Sequence, residues 1–480
     1  MFRRLPGARY SQDALLALGA AMTAEAEDAP TPENEIDDEE NQGISAGYTY
    51  LGQFIDHDLT FDPASSLERK NDPDALVDFR TPRFDLDSVY GRGPDDQPYL
   101  YEDDGRHFKL GRNLIGNPND AQARDLPRHA NPATGSRARA LIGDPRNDEN
   151  VIVSQLHGIM LRFHNRLADD NPSKSFGEIQ QLVRWHYQWV LVHDFLPTIV
   201  GPETVCAVLP HLHSKKHLRF DPPHLEFYKP VVGAYMPIEF SAAAYRFGHS
   251  MVRPIYRLNT SLGRKKDEAD PINERKLIFH SEDDNASLNG FREFPENWAI
   301  EWNLYFDMGN KPSNVGFERL QPAYKIDTSL VNPLGQLPLS VASGQPSLAA
   351  RNLLRGASMD LPSGQDVARA MGERVLRDEE LKVGKANEDS ASSNRPITAI
   401  SREFAGKAPL WFYVLSEAQQ QFKDDATPIR LGSVGGRIVT EVFAGILLHD
   451  SSSWLRQDPG WRPEADTFKM ADLIRRAIGK

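Results

Sequence analysis

The residues best able to do chemistry stand together in Gly52-Gln53-Phe54-Ile55-Asp56-His57-Asp58. Residues 47–57 can form a helix. On it Gln53 and His57 are four apart and Gln53 and Asp56 three apart, so an amide, a carboxylate and an imidazole share one broad face. Such a set suits chemistry on a small polar molecule. The plainer alternative is a helix-end histidine satisfied among solvated acids. A second candidate runs from Thr81 to Gly91, where Asp85 and Asp87 alternate, Thr81 offers a hydroxyl and backbone carbonyls lie between. Calcium takes about six to eight hard oxygen ligands, so this composition suits calcium and not zinc. The Gly and Glu of an EF-hand loop are missing, and an ordinary Asx-turn loop is the alternative.

Two further basic groups draw the eye. Arg146, in Asp144-Pro145-Arg146-Asn147-Asp148-Glu149-Asn150, can stabilise charge developing on a leaving oxygen, or can pair at the surface with Asp148 or Glu149. His249 follows Gly248, whose missing side chain lets the backbone come close to a flat ligand. A core histidine is the alternative there. His157 and His164 are seven apart on one helix face and read as structural histidines.

These residues must be positioned by helices. Apolar spacing predicts a helix over 147–170, capped by Asn147 or Asp148 and stopped by Asn171-Pro172. Others are predicted over 176–196, 240–253 (ended by Pro254), 347–355, 364–371, 409–421 and 432–448. Alternating strands are scarce and no fixed-period repeat is present, so the chain reads as mainly helical. An acidic, proline-containing stretch over 24–41 reads as a solvated linker, which divides the chain into an N-terminal arm, 1–43, and a catalytic domain, 44–480.

Bulk properties narrow the partners. The 480 residues allow two or three lobes or one large helical domain. The net charge of −13 argues against nucleic acid or an anionic membrane as the main partner. Cys206 is the single cysteine, so no intrachain disulfide forms, and stability must come from the core, a metal or a cofactor. Arg3 and Arg4 are followed by no apolar core of signal-peptide length, so a cytoplasmic location, or export without a cleaved signal, is expected. No stretch reaches the roughly eighteen apolar residues of a membrane span.

The string Gly52-Gln53-x-x-Asp56-His57-Asp58-x-x-Phe61 resembles the distal motif of the animal-type haem peroxidases, within the peroxidase–cyclooxygenase superfamily. The resemblance continues in order through the 81–91 loop, the Arg146-x-x-Glu149 element, Arg246-x-Gly248-His249 and Asn352, over roughly residues 44–450. It implies a helical fold with haem b between distal and proximal helices. It implies that His57 is the distal acid–base, that Arg146 is the catalytic arginine and that Gln53 lines the peroxide or halide pocket. Asp56 and Glu149 would form esters with the haem. His249 would ligate the iron, Asn352 would accept its imidazole N–H, and Arg355 and Arg246 would hold the propionates. Calcium would be held by Asp58, Thr81, the Arg83 carbonyl, Asp85 and Asp87. Asp87 stands where mammalian members commonly carry serine, which adds charge. Asn150 stands where one member carries a methionine in sulfonium linkage, so a third covalent bond is not expected.

The implied activity is a peroxidase that reduces hydrogen peroxide through a ferryl intermediate and oxidises halide, thiocyanate or phenolic donors. Two alternatives accompany it. In fatty-acid dioxygenases of the superfamily a radical tyrosine precedes the proximal histidine by three residues. Here Arg246 holds that place, and Tyr245 is one residue off. A non-catalytic, calcium-stabilised adhesion protein is the other, and the joint presence of His57, Arg146 and His249 speaks against it.

Overall fold

Ser11 opens the first helix, α1 (Gln12–Ala21), by accepting from the Ala14 N–H. Eight more helices of at least eight residues follow among the described residues. They are α2 (Ala46–Leu59), α3 (Val151–Asp170), α4 (Phe176–Val190), α5 (Leu348–Ser358), α6 (Gly364–Met371), α7 (Leu410–Gln419), α8 (Ser433–His449) and α9 (Met470–Ala477). The coordinates are a computed structural model, which describes residues 1–26, 38–60, 82–129, 137–214, 218–262, 276–280, 287–309, 318–342, 344–387, 393–423 and 426–480. Part of the acidic 24–41 stretch therefore lies outside the described residues. None of the described helices is long and apolar enough to cross a membrane.

One large core of aliphatic and aromatic side chains joins these helices. α1 belongs to it through Leu15, Leu18 and the following Met22. Gly19 makes that possible, because a Cβ there would come within 2.8 Å of the Ala350 nitrogen on α5. α4 begins with a Ser175/Glu178 capping box. It continues through a π-helical turn, Leu191–Phe195, into the short helix Leu196–Val200. The described strands are short two-stranded pairs. The pair that bears on the site joins β1 (Glu40–Ser45) to β2 (Pro322–Tyr324), antiparallel, with Glu40 opposite Tyr324 and an irregular register between Glu40 and Ser45. β1 runs directly into α2. Its Glu40 is buried and accepts from Arg253 Nη1 and Arg319 Nη1 at 2.8 Å each. Burial pushes the Glu40 carboxyl up, but hydrogen bonds and charge from Arg319 and Arg253 outweigh it and hold the group below its ordinary value.

Two predicted helices differ from the structure. The 147–170 helix starts at Val151, and Asn150 is its cap, accepting from the Ile152 and Val153 N–H groups at 3.0 Å each. Asn147 and Asp148 are not free to cap. They lie in a preceding 3₁₀ turn, Pro145–Asp148, where Asn147 serves two histidines and Asp148 accepts from Arg128 at 2.7 and 2.8 Å. The predicted 240–253 helix is instead a single α-turn, Ile238–Ser241, followed by a 3₁₀ helix, Ala244–His249. At the break Ala243 has φ −139° and ψ −75°, and the Ser241 carbonyl accepts from Arg246 Nε at 2.9 Å.

Candidate active site

Gln53, Asp56 and His57 of α2 line one cavity of about 350 Å³. Arg146 and Glu149 reach it from the segment before α3. Arg246, Gly248 and His249 reach it from the 3₁₀ helix, and Arg351, Asn352 and Arg355 from α5. All nine predicted catalytic and cofactor-binding residues therefore meet in one place, although they span three hundred residues of chain. Ile278, Phe279, Leu334, Leu337 and Val341 supply an apolar wall.

His57 is buried, and its Nδ1 lies 2.8 Å from Asn147 Oδ1. A carbonyl oxygen only accepts, so His57 carries its proton on Nδ1 and keeps a lone pair on Nε2. Burial and the charge of Arg146 pull the imidazole down to about 4, against Asp144 and Asp56, so it is neutral at pH 7. Arg146 is fixed to the same turn. Its guanidinium donates to the Asp144 carboxylate, to the His57 carbonyl at 3.1 Å and to the Thr60 carbonyl. It thereby satisfies carbonyls left open at the C-terminus of α2. It pairs with Asp144, Nη2 lying 2.8 Å from Oδ2, while Asp148 is taken by Arg128.

Gln53 donates through Nε2 to Glu149 Oε1 and accepts from Asn150 Nδ2 at 3.2 Å. Asn150 thus ties the start of α3 to α2 as well as capping α3. Burial pushes the Glu149 carboxyl up to about 7, while Arg146 opposes.

In the 3₁₀ helix, residues three apart eclipse, so Arg246 and His249 share one face. Burial, Arg246 and Arg351 press the His249 imidazole down to about 3, which keeps it neutral. Its Nδ1 lies 2.7 Å from Asn352 Nδ2. The resemblance expects Asn352 to accept from this ring. The amide is turned the other way, so that Asn352 donates and His249 carries its proton on Nε2. Half a turn of the amide keeps the hydrogen bond and moves the proton to Nδ1, the arrangement an iron at Nε2 requires. A Cβ built on Gly248 would meet no protein atom within 4 Å, so glycine leaves that part of the cavity open for a flat ring. Burial and Arg246 lower the Arg351 guanidinium, a cost that an anionic group between these arginines would offset. Neutral His249, the Gly248 opening and the arginines together fit a haem with its propionates.

The acidic loop folds back onto α2. Carboxylate oxygens of Asp58, Asp85 and Asp87 lie within 4.8 Å of one another. Asp58 accepts from the Leu86 N–H and the Ser88 hydroxyl at 3.3 Å each. Leu86 takes a left-handed conformation, φ 57°, rare for a leucine. Burial and Asp87 push the Asp85 carboxyl up to about 6. A hard dication fits this oxygen set and would relieve the crowding. Arg83 sends its guanidinium toward Asp450, with Nε 3.8 Å from Oδ1. Thr81 lies outside the described residues.

Three site residues escaped the sequence reading: Asn147, His157 and Arg351. Arg351 had a signal, because it sits four residues before Arg355 and so on the same face of α5. Asn147 and His157 had none: His57 lies 90 residues from Asn147, and His157, ten residues on, lies across the break between the 3₁₀ turn and α3, where no periodicity links them.

The sequence model described as animal haem peroxidase matches residues 68–295. That span holds Arg146, Glu149 and His249. It starts after His57 and ends before Asn352. Thyroid peroxidase of Mus musculus is 26% identical over 253 residues, 50% of this chain and 24% of that protein. Chorion peroxidase of Drosophila melanogaster is 29% identical over 247 residues, 48% of this chain and 26% of that protein. The chain thus matches about a quarter of the length of these relatives. Among solved structures, peroxidase A from Dictyostelium discoideum superposes with a TM-score of 0.54 at 16% identity, covering 98% of this chain and 93% of that one. Fatty acid alpha-dioxygenase of Oryza sativa gives 0.56 at 16% identity, covering 98% and 80%. The mainly helical fold is shared with both of these structures.

Proposed function

We propose that this chain, whose residues 68–295 match the animal haem peroxidase model, reduces hydrogen peroxide at a haem in this cavity and oxidises a small anionic or phenolic donor. One observation carries the reading. Two neutral histidines, His57 buried and His249 half-buried, line the same cavity, and each has its Nδ1 held by an asparagine: His57 by Asn147 and His249 by Asn352.

In this reading His249 is the iron ligand, and Arg246, Arg351 and Arg355 hold the propionates. Asp56 and Glu149 are the carboxyls available for ester bonds to the ring. The haem iron supplies the redox chemistry that joins peroxide reduction to donor oxidation. The protein moves the proton. His57 Nε2 takes it from the peroxide oxygen nearer the metal and returns it to the departing oxygen, which leaves as water. Arg146 stabilises the negative charge growing on that oxygen, and Gln53 orients the peroxide through its amide.

The test is to load the chain with haem and to compare bromide, iodide, thiocyanate and phenols as donors with peroxide. A chain that develops no Soret band, or that consumes no peroxide with any donor, sinks the reading. Ester linkage has its own check: acid acetone should leave haem on peroxide-treated protein, and complete extraction refutes it.

We assign the Asp58, Asp85 and Asp87 cluster to calcium, with the Arg83 carbonyl as a further oxygen ligand. Asp58 adjoins His57, so the ion pins the end of α2. Saturating calcium at about a hundred times its dissociation constant stabilises by about 2.7 kcal/mol. Thermal melts should therefore fall by several degrees on chelation, and Asp58→Ala should melt low with or without calcium. A melting point indifferent to both calcium and chelator refutes the assignment.

A fatty-acid dioxygenase is the second reading, favoured by the apolar wall and by Tyr245, which lines the cavity. The Tyr245 hydroxyl, however, faces the Gly52 carbonyl at 3.4 Å. Oxygen uptake with linoleate and no peroxide would replace the first reading with this one.

A further inference from the structure

We infer that Asn147 is a positioning residue that sets the tautomer of His57, and that His157 orients Asn147. The inference rests on His57 being the proton carrier proposed above. Asn147 and His157 are fully buried, and His57 nearly so. Asn147 Oδ1 lies 2.8 Å from His57 Nδ1, and Asn147 Nδ2 lies 3.0 Å from His157 Nδ1. The three groups form one line running from the cavity into the protein. Asn147 sits between Arg146 and Glu149 in chain order, so one 3₁₀ turn delivers a cation to the cavity and an amide to the back of the histidine.

The line has two self-consistent proton arrangements. With Oδ1 toward His57, the proton is on His57 Nδ1, and Nε2 offers the lone pair that accepts from peroxide. With the amide reversed, Nδ2 donates to His57 Nδ1, the proton moves to Nε2, and the cavity meets a donor where it needs an acceptor. His157 favours the first by giving the amide N–H an acceptor, because a buried N–H left bare costs more than a carbonyl left bare. Its Nδ1 accepts from Nδ2 in the arrangement found, and its ring meets Phe54 of α2 edge to face, with centroids 6.1 Å apart. Among the described residues its Nε2 is buried without a hydrogen-bond partner, and its one polar bond is to Asn147. A wrong tautomer behind intact geometry is costly in other enzymes that use histidine as a base.

The test uses the haem-loaded full chain and two rates read at the Soret band: reaction with peroxide and binding of cyanide. Both require a proton acceptor above the iron, and cyanide binding involves no turnover. N147A should slow both at least about tenfold, as loss of outer-shell partners does elsewhere, with haem content unchanged. N147D should recover to within about threefold of wild type, because a carboxylate oxygen accepts from Nδ1–H whichever way it turns. H157F should slow the wild-type chain and leave N147D unaffected, because a carboxylate has no orientation to set. N147A at wild-type rates, or N147D as slow as N147A, overturns the inference. So does H157F slowing N147D as much as wild type, and this pair decides the matter if N147A takes up no haem. A wild-type chain that binds haem and reacts with peroxide while the Asn147 variants match it refutes this inference alone. A wild-type chain that does neither refutes the peroxidase reading with it.

Discussion

His57→Ala slows the reaction of the haem-loaded chain with hydrogen peroxide by about 10²–10⁴-fold, the range that a positioned acid–base contributes. The haem stays bound, because its proposed ligand His249 and the arginines belong to the 3₁₀ helix and α5 and not to α2. The fold also holds, since among the described residues the imidazole bonds to Asn147 alone and that amide keeps its second bond to His157. Arg146 still donates to the carbonyl of residue 57, a backbone group that the substitution leaves in place. The effect should therefore fall on the rate of the peroxide step and not on haem content. Stopped-flow spectra at the Soret band read the first, and the absorbance ratio of haem to protein reads the second. A variant reacting at the wild-type rate removes His57 from the mechanism.

Glu40→Ala should destabilise the chain by about 3–5 kcal/mol, the usual cost of stranding buried partners of an ion pair. Arg253 and Arg319 both donate to this one carboxylate, and all three side chains are buried. Without it, two guanidinium groups would be left in the core with one anion fewer. Glu40→Gln should cost less, because the amide oxygen still accepts one of the bonds. The position matters to the site because Glu40 begins β1, which runs into α2, while Arg253 follows His249 by four residues. The carboxylate thus clamps the segment that carries His57 to the one that carries His249. Chemical denaturation read by circular dichroism gives the stability, and haem titration gives the affinity, which should fall in parallel. A loss below about 1 kcal/mol on Glu40→Ala would show that this network does not hold the two halves together.

The helices were legible because their signals are local. Apolar spacing marks α3, α4 and α8, and Gly364–Met371 matches the predicted span residue for residue. The grouping of Gln53, Asp56 and His57 was legible for the same reason, since three- and four-residue separations on one helix fix a shared face. The proximal segment was not. The 240–253 stretch has helical composition, but Arg246 takes the Ser241 carbonyl, and the helix gives way to a 3₁₀ turn. Asn147 was misread as a helix cap because capping is the local use of an asparagine before an apolar run. Its actual partner His57 lies 90 residues away in sequence. The same separation hid Glu40, whose arginines lie 213 and 279 residues downstream. By itself the sequence determined which residue types share a helix face and where most helices run, because spacing along a single chain settles both. Only the tertiary structure decided which buried polar groups face each other across the cavity. Each such group needs a partner once water is gone, and packing, not spacing, brings the partners together.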